Sequence, residues 1–244
     1  MFFCDEFTNH NDTEAGIRSL ELLSKLGYHI DIPVHRESGR TYISKGLLKK
    51  AASVASENIR LLASLVNEKS PLVGIEPSTV LSFRDEYPDL VGNESRQEAF
   101  NLAKHCYTLD EFIAIEFDNG RIDGSVFDTR RRKIYLHGHC YQKALSSTDH
   151  TKKMLTIPQN NTIEEIECGC CGMAGAFGFE KDHYKISMKI GELSLFPAIR
   201  KAEKDAIIVA AGTSCRQQIL DGTGRKALHP AELLCQCLNG SANP

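Results

Sequence analysis

The stretch IEEIECGCCGMAGAFG, residues 163–178, joins a strand-like segment to a loop rich in cysteine and glycine. Ile163 and Ile166 belong to a short apolar segment of the length typical of a β-strand. The thiols at positions 168, 170 and 171 follow at once, separated and followed by glycines. Glycine allows a backbone to turn sharply and to approach a bulky group, because it has no Cβ. The stretch therefore predicts a thiol site at the end of a strand.

Two further strand-like segments precede cysteines in the same way. Residues 134–137 come just before Cys140, and the apolar run 206–210 comes before Cys215. That apolar run lacks polar alternation, which predicts a strand buried on both faces. The carboxyl ends of parallel strands share one sheet edge, where ligands bind. We therefore expect Cys140 and Cys215 to meet the thiol pair 170–171 at one edge.

The rest of the chain alternates between helical and strand-like patterns, which predicts parallel βαβ units with helices packed on the sheets. The predicted helices are 13–26, 44–66, 142–155 and 181–202, the last bent at Pro197, and the predicted strands also include 28–33 and 72–75. This is an α/β fold.

The two halves of the chain can be placed in register. With Cys140 opposite Glu6, the run Cys170-Cys171-Gly172 falls opposite Glu37-Ser38-Gly39, and Cys215 falls opposite Thr79. A tandem pseudo-repeat explains this register, and the alternative is chance agreement between two α/β units of similar size. The predicted domains are a first repeat without ligand cysteines, a connection, and a second repeat with the site, at 1–92, 93–132 and 133–244.

Composition excludes several classes of protein. The net charge of -3 argues against a nucleic-acid-binding surface. No run approaches the ~18 apolar residues of a membrane span, so we expect no transmembrane segment. The start of the sequence has no basic leader followed by an apolar stretch, so the expected location is the cytoplasm. Nine cysteines in such a chain favour metal or redox chemistry over a disulfide framework.

The thiols of Cys140, Cys170, Cys171 and Cys215 form the predicted metal and cofactor site. Zinc accepts four thiolates in a tetrahedral site, and iron–sulfur clusters also take four. Side chains of adjacent residues diverge, so Cys170 and Cys171 reach one small ion only with strain. A cluster is wide enough for both, which favours iron–sulfur, with zinc as the alternative.

Cys140, the run Cys170-Cys171-Gly172 and Cys215 resemble the cysteine-rich CCG domain family, which includes a subunit of heterodisulfide reductase and the iron–sulfur subunit of glycolate oxidase. The similarity is greatest to the carboxy-terminal part of large FAD-linked D-2-hydroxyacid dehydrogenases. The segments that carry it are His137-Gly138-His139-Cys140, Gly169–Gly175, Ser187–Glu192 and His229–Leu234.

The resemblance implies an iron–sulfur electron-transfer domain of a D-lactate, glycolate or D-2-hydroxyglutarate type of dehydrogenase. FAD would lie on a separate domain or subunit. A quinone, a cytochrome or a soluble carrier would accept the electrons, and partners could hold the chain at the inner membrane. The chain would then be part of a larger oxidoreductase and lack turnover by itself. A zinc-stabilised docking domain is the alternative, and a thiol–disulfide catalyst is a weaker one.

The sequence departs from the family pattern in three ways. The family motif ends in C-x-x-C, but this chain has Gly212 in place of the first of these cysteines. Four thiolates remain, which suits an ordinary 4Fe-4S cubane. The first repeat has no ligand cysteines, so at most one cluster is expected. There is no ferredoxin-type cysteine run and no resemblance to a flavin-binding domain.

Other residues carry weaker predictions. Cys168 is either a spare ligand or a neighbour that crowds the loop, and His139 is either a ligand or, like His137, a hydrogen-bond donor to a sulfur. The remaining candidates are expected to be structural or solvated: Cys4, Cys106, Cys235, Cys237, His183, Lys189 and the run 130–133.

Overall fold

The computed structural model describes residues 1–240 and has two compact units, Met1–Phe112 and a second that begins at Ile113. Positions 241–244 of the predicted second repeat lie outside the described residues. The boundary between the units falls inside the predicted connection 93–132, and the assignment of the repeats themselves stays a prediction.

The first unit contains a short parallel sheet and seven helices, and an eighth helix spans the unit boundary. They are, in chain order, α1 (Glu6–His10), α2 (Thr13–Lys25), α3 (Arg40–Ser44), α4 (Leu48–Leu62), β1 (Leu72–Gly74), α5 (Pro77–Val80), α6 (Tyr87–Leu90), α7 (Asn93–Ala103), β2 (Cys106–Thr108) and α8 (Leu109–Asp118). Strands β1 and β2 pair in parallel, and Phe2 adds a parallel bridge to Val73. Phe2 and Phe3 are fully buried, so the chain start packs in the core of this unit.

The second unit is built around a four-stranded parallel sheet. Its elements are β3 (Arg132–His137), α9 (Cys140–Leu145), α10 (Asp149–Thr156), β4 (Asn161–Glu165), α11 (Tyr184–Leu193), α12 (Leu195–Lys201), β5 (Ile207–Ala210), α13 (Thr213–Thr223), β6 (Ala227–Leu228) and α14 (Pro230–Gln236). The strand order is β4-β3-β5-β6, and every pair is parallel. Strand β3 therefore lies between β4 and β5, so the chain segments that follow these three strands leave the same edge next to one another.

The predicted α/β fold with parallel sheets is confirmed. The strands predicted at 134–137 and 206–210 are also present, as β3 and β5. Residues 207–210 are almost wholly buried, as expected for a strand without polar alternation. Among the described residues no helix has the length and apolar content that crossing a bilayer requires.

Three local predictions were wrong. Residues 28–33 form no strand: Asp31 accepts one hydrogen bond from Phe2, but Pro33 has no amide hydrogen to continue a ladder. The predicted helix 142–155 is broken into α9 and α10. The predicted helix 181–202 breaks at Ser194 and not at Pro197, because proline is tolerated in the first turn of the new helix, α12.

The register between the halves agrees with the local structure. Glu6 and Cys140 are the first residues of α1 and α9. Gly39 and Gly172 both have a positive φ, at 76° and 105°. The third partners in the register, Thr79 and Cys215, each occupy the third position of a helix, α5 and α13. The backbone is thus consistent with the tandem arrangement.

Candidate metal centre

The second unit brings the predicted thiols together at the carboxyl edge of its sheet. Cys140 begins α9 directly after β3, and Cys215 lies in the first turn of α13 after β5. Cys170 and Cys171 lie in the loop that follows β4. Helix amino termini stabilise negative charge, so the position of Cys215 in the first turn of α13 favours thiolate.

The four thiols form a hydrogen-bonded chain in the order 140, 170, 171, 215. Hydrogen bonds with Cys140 and Cys171 lower the pKa of Cys170, and the bond with Cys171 lowers the pKa of Cys215. The same bonds raise the pKa of Cys140 and of Cys171, because each of these thiols is the donor. The hydrogen bonds between the sulfurs therefore favour negative charge on Cys170 and Cys215 over Cys140 and Cys171.

Burial differs along this chain of sulfurs. Cys171 and Cys215 are only 3% and 2% exposed, whereas Cys140 is exposed and Cys170 is half-buried. One end of the thiol chain is thus sealed in the core, next to Met173 and Ile219 in the same apolar cluster. The other end reaches the surface of the unit.

His137, the last residue of β3, was expected only to donate a hydrogen bond to a sulfur. One of its ring nitrogens lies within 4.8 Å of the sulfurs of both Cys171 and Cys215, which themselves are equally close. Its Nδ1 is 3.1 Å from Cys168 Sγ. Burial opposes protonation of His137, but the charge and hydrogen-bond interactions with Cys215 and Cys168 together outweigh it and raise the pKa of His137 to about 10.

Cys168 and His139 also lie at this edge. Cys168 contacts the His137 ring, and Lys143 Nζ donates to the Cys168 carbonyl at 2.8 Å, which fixes the start of the loop. His139 is buried and is the N-cap of α9. A Cβ added at Gly212 would lie 2.5 Å from His139 Cδ2 and 3.2 Å from Cys215 Sγ. The His139 ring thus fills the space that a side chain at position 212 would need.

The loop that carries Cys171 is held in place by a buried amide that the sequence analysis missed. Gln218 Nε2 donates to the Cys171 carbonyl at 3.0 Å and contacts the carbonyl and hydroxyl oxygens of Ser187 at 3.1 and 2.9 Å. Gly172 allows this approach, because a Cβ there would lie 2.3 Å from the Ser187 carbonyl oxygen. The sequence contained a signal for this role, because Gln218 is three residues after Cys215 and therefore lies on the same face of α13 as that thiol.

This contact gives a prediction for a pair of adjacent residues. We expect Gln218→Ala to lower the free energy of unfolding by about 1–3 kcal/mol, because it leaves the buried carbonyl of Cys171 without its donor. The matched control is Gln217→Ala, since Gln217 is exposed and bonds only Asp221 on the same helix. We expect that variant to stay within about 0.5 kcal/mol of the parent chain in urea denaturation. Equal losses in the two variants would contradict the assigned role of Gln218.

The remaining predicted residues lie away from the thiols or are explained by packing. Cys235 and Cys237 are buried at the end of α14, and burial raises the pKa of Cys237 to about 11. Cys106 is buried as expected, whereas Cys4 is only half-buried. His183 stacks on Phe177 at 4.1 Å. In the run 130–133, Arg132 pairs with Asp128 at 2.7 Å and Lys133 with Glu203 at 2.6 Å.

In the first unit, the residues that the register places opposite the thiols are joined by hydrogen bonds. Glu6 accepts bonds from the backbone and hydroxyl of Ser38, at 2.8 and 2.7 Å. Tyr87 donates to the Ser38 carbonyl at 2.8 Å. A carboxylate and a hydroxyl thus bond directly where the register places thiols in the second unit, which is consistent with the prediction that the first repeat holds no cluster.

The chain is similar to two dehydrogenases over part of their length and to a third protein over most of its length. It is 30% identical over 235 residues to the D-2-hydroxyglutarate dehydrogenase of Pantoea ananatis, a match that covers 96% of this chain and 22% of the relative. It is 25% identical over 239 residues to one subunit of the anaerobic glycerol-3-phosphate dehydrogenase of Escherichia coli, with 97% and 58% covered. It is also 25% identical to the lactate utilization protein A of Geobacillus thermodenitrificans, with 91% and 92% covered.

The matches to the two dehydrogenases confirm the expected relation to parts of larger oxidoreductases. The chain spans about a fifth of the D-2-hydroxyglutarate dehydrogenases that it matches. No family model matches the sequence.

Proposed function

We propose that this chain is the iron–sulfur electron-transfer domain of a FAD-linked 2-hydroxyacid dehydrogenase of the D-lactate, glycolate or D-2-hydroxyglutarate type. The observation that carries the proposal is the convergence of four thiols from the ends of three parallel strands into one chain of sulfurs that runs from the core to the surface.

The donor set is wider than the shell of one ion. Among the described residues, the donors that lie within 4.8 Å of one another are those of His137, Cys171 and Cys215. Cys140 and Cys170 continue the chain of sulfurs beyond this group. An iron–sulfur cluster accepts thiolates at separate irons, so a donor set of this extent suits a 4Fe-4S group held by all four thiols. When bound, such a group supplies transfer of single electrons.

The residues of the chain have three tasks in this proposal. The buried thiols Cys171 and Cys215 exclude water from one side of the group. Cys170 and Cys215, already biased towards thiolate, supply the first soft anionic donors. Cys140, at the exposed end, brings the group within reach of a partner that delivers or removes electrons.

The partners follow from the same proposal. A flavin-binding domain or subunit oxidises the 2-hydroxy acid, and this domain relays the electrons to a quinone, a cytochrome or a soluble carrier. The names of the relatives, which include dehydrogenases of D-2-hydroxyglutarate and glycerol-3-phosphate, support this division of labour. The resemblance to the CCG domain family supports the type of cluster. We place the domain in the cytoplasm or at the inner membrane through its partners.

A second candidate function is a docking domain stabilised by zinc. His137, Cys171 and Cys215 form a buried group of three donors, and Cys170, which is hydrogen-bonded to Cys171, would be the fourth ligand that a structural zinc site requires. In that case Cys140 lies outside the metal shell, and the metal only holds the loops together.

Metal analysis separates the two candidates. We expect protein purified and reconstituted without oxygen to be brown and to bind about four iron and four sulfide per chain, because four thiolates suit one cubane. The same preparation is offered zinc alone in a parallel reconstitution. If the chain binds no iron and sulfide in the first reconstitution but binds one zinc per chain in the second, the proposal is contradicted and the docking domain is favoured.

A further inference from the structure

The turn between α3 and α4 exposes two adjacent leucines. Leu47 and Leu48 are 48% and 54% exposed. Backbone hydrogen bonds fix the turn, since the amide of Gly46 donates to Ile43 at 3.0 Å and that of Leu47 to Tyr42 at 2.9 Å. A Cβ added at Gly46 would meet no atom within 4 Å, so the turn borders open space. The fold thus holds two apolar side chains at a defined place on its surface.

These leucines lie among basic residues. The segment 38–56 contains no Asp or Glu. Of its basic residues, Arg40 pairs with Glu86. Lys49 and Lys50 are exposed and form no ion pair within residues 1–240. The sequence Lys-Gly-Leu-Leu-Lys-Lys at 45–50, the lysine–leucine turn, is therefore both apolar and positively charged, although the whole chain has a net charge of -3.

The carboxylates on either side of this segment have partners of their own. Glu37 accepts a hydrogen bond from the Tyr42 hydroxyl, and Glu57 lies 3.5 Å from Arg36. They are therefore not available to pair with Lys49 and Lys50.

The two lysines are unfavourable for the helix that carries them. Lys49 and Lys50 lie in the first turn of α4, which has no acidic residue there and no side-chain cap. The amino end of a helix carries partial positive charge, so cations at this end lower its stability. Residues that oppose the local rules of folding commonly serve a function, so this turn calls for a binding partner.

An anionic bilayer fits the lysine–leucine turn. Leucine side chains enter the boundary between headgroups and acyl chains, while lysines keep their ammonium groups at the phosphates. Each lysine near an anionic membrane surface contributes about fivefold in affinity. We propose that the lysine–leucine turn docks the first unit on an anionic lipid surface. This role goes beyond the proposed electron-transfer function and does not require a bound cluster.

Two other occupants fit this surface less well. A second copy of the chain would bring the same lysines together across a two-fold axis, where like charges repel. A protein partner is disfavoured because lysine is depleted from protein–protein interfaces, which are enriched in arginine and aromatic residues. The turn offers lysine and leucine instead.

The second unit has a rival surface on α11. Leu193 is 82% exposed at the end of the helix that carries Lys185 and Lys189. The segment 180–192 also contains three acidic residues, however, and these oppose attraction to anionic lipid. The first unit is therefore expected to make the contact.

Sedimentation of the full, metal-free chain with lipid vesicles tests the proposal. We expect binding to vesicles of phosphatidylcholine and phosphatidylglycerol in equal parts, and none to phosphatidylcholine alone. Binding should weaken as salt rises, because salt screens exposed charges. The double variant Lys49→Glu/Lys50→Glu should lower the partition coefficient at least about 30-fold, through the loss of two lysines. Leu47→Ser/Leu48→Ser should lower it about tenfold, since less apolar surface leaves water.

Controls separate the surface from general effects of charge and folding. Glutamate suits the first turn of a helix, so Lys49→Glu/Lys50→Glu should melt at no lower temperature than the parent chain. Lys201→Glu/Lys204→Glu makes the same change at exposed lysines of the second unit, and Val34→Ser alters a side chain that is 79% exposed. We expect both controls to bind within about twofold of the parent chain, because screening confines surface charges to their own neighbourhood.

The outcomes separate this docking role from the proposed function. A parent chain that stays in solution with anionic vesicles overturns the docking role, and so does undiminished binding by Lys49→Glu/Lys50→Glu. Loss of binding only in Lys185→Glu/Lys189→Glu also overturns it, because the contact then lies on α11. A chain that binds vesicles but assembles no iron–sulfur cluster overturns only the proposed function, since the vesicle assay needs no metal.

Discussion

Replacing Cys171 with serine will abolish stable metal binding by this protein. Cys171 is 3% exposed and lies between Cys170 and Cys215 in the chain of hydrogen-bonded thiols. The serine hydroxyl stays protonated and is a poor ligand for a soft metal, so we expect iron content after anaerobic reconstitution to fall more than about tenfold. The variant should also melt at a lower temperature than the loaded parent chain, because a group that binds only the folded state stabilises it.

Two matched variants serve as controls for Cys171→Ser. Cys4→Ser makes the same change at a half-buried thiol of the first unit, where Asn9 is the nearest polar contact of the sulfur, at 4.0 Å. Glu37→Gln changes the register equivalent of Cys170. We expect both to keep full iron content and to cost at most about 1 kcal/mol of stability. Loss of metal in Glu37→Gln together with retention in Cys171→Ser would reverse the assignment of the two repeats.

Replacing Asp5 with asparagine will make the protein more stable at neutral and alkaline pH. Asp5 is fully buried and caps α1, where it accepts bonds from the amides of Phe7 and Thr8 and from the Thr8 hydroxyl. Burial, followed by the negative charge of Glu76, raises its pKa from 3.8 to about 7. Asparagine is as good an N-cap as aspartate and carries no charge, so the cap survives while the buried charge is removed.

The sign of the effect follows from proton binding. Between about pH 4 and pH 7 the folded state keeps the Asp5 proton and the unfolded state releases it, so the stability of the parent chain falls as pH rises through this window. Below it both states are protonated, and above it the penalty is complete. The difference between the two pKa values corresponds to about 4 kcal/mol as an upper limit. We expect the gain of Asp5→Asn over the parent chain to grow from near zero at pH 4 to this order at pH 8.

Urea denaturation of the metal-free chains at a series of pH values measures this difference. The control is Asp123→Asn, because Asp123 caps the short helix at 124–126 in the same way but is exposed, and its hydrogen bonds with Ser125 lower its pKa. We expect no gain from that variant at pH 8. A difference between Asp5→Asn and the parent chain that does not vary with pH would contradict the buried charge at Asp5.

Local sequence was sufficient to predict the strand ends that carry the thiols. The strand-like runs 134–137 and 206–210 lie only a few residues before Cys140 and Cys215 in the sequence. Because the carboxyl ends of parallel strands share one edge of the sheet, these thiols must lie at that edge. Glycine permits the positive φ of residue 172 but does not dictate it, since Gly169 and Gly178 in the same loop have no positive φ. The break at Ser194 was not predictable in this way, because Pro197 was compatible with either side of a helix boundary.

Tertiary structure alone decided the chemistry at that edge. The hydrogen bonds that link the thiols join segments that are tens of residues apart in the sequence. The side-chain amide of Gln218 likewise bonds the carbonyl of Cys171, which is 47 positions away. The position of His137 follows from the strand order β4-β3-β5, which places the end of β3 between the loop that carries Cys171 and the helix that carries Cys215. Sequence fixes the order of strands along the chain but not their order in the sheet. The cysteines and the neighbouring His137 could therefore be predicted from the sequence, whereas the contact of His137 with Cys171 and Cys215 could be recognised only in the folded sheet.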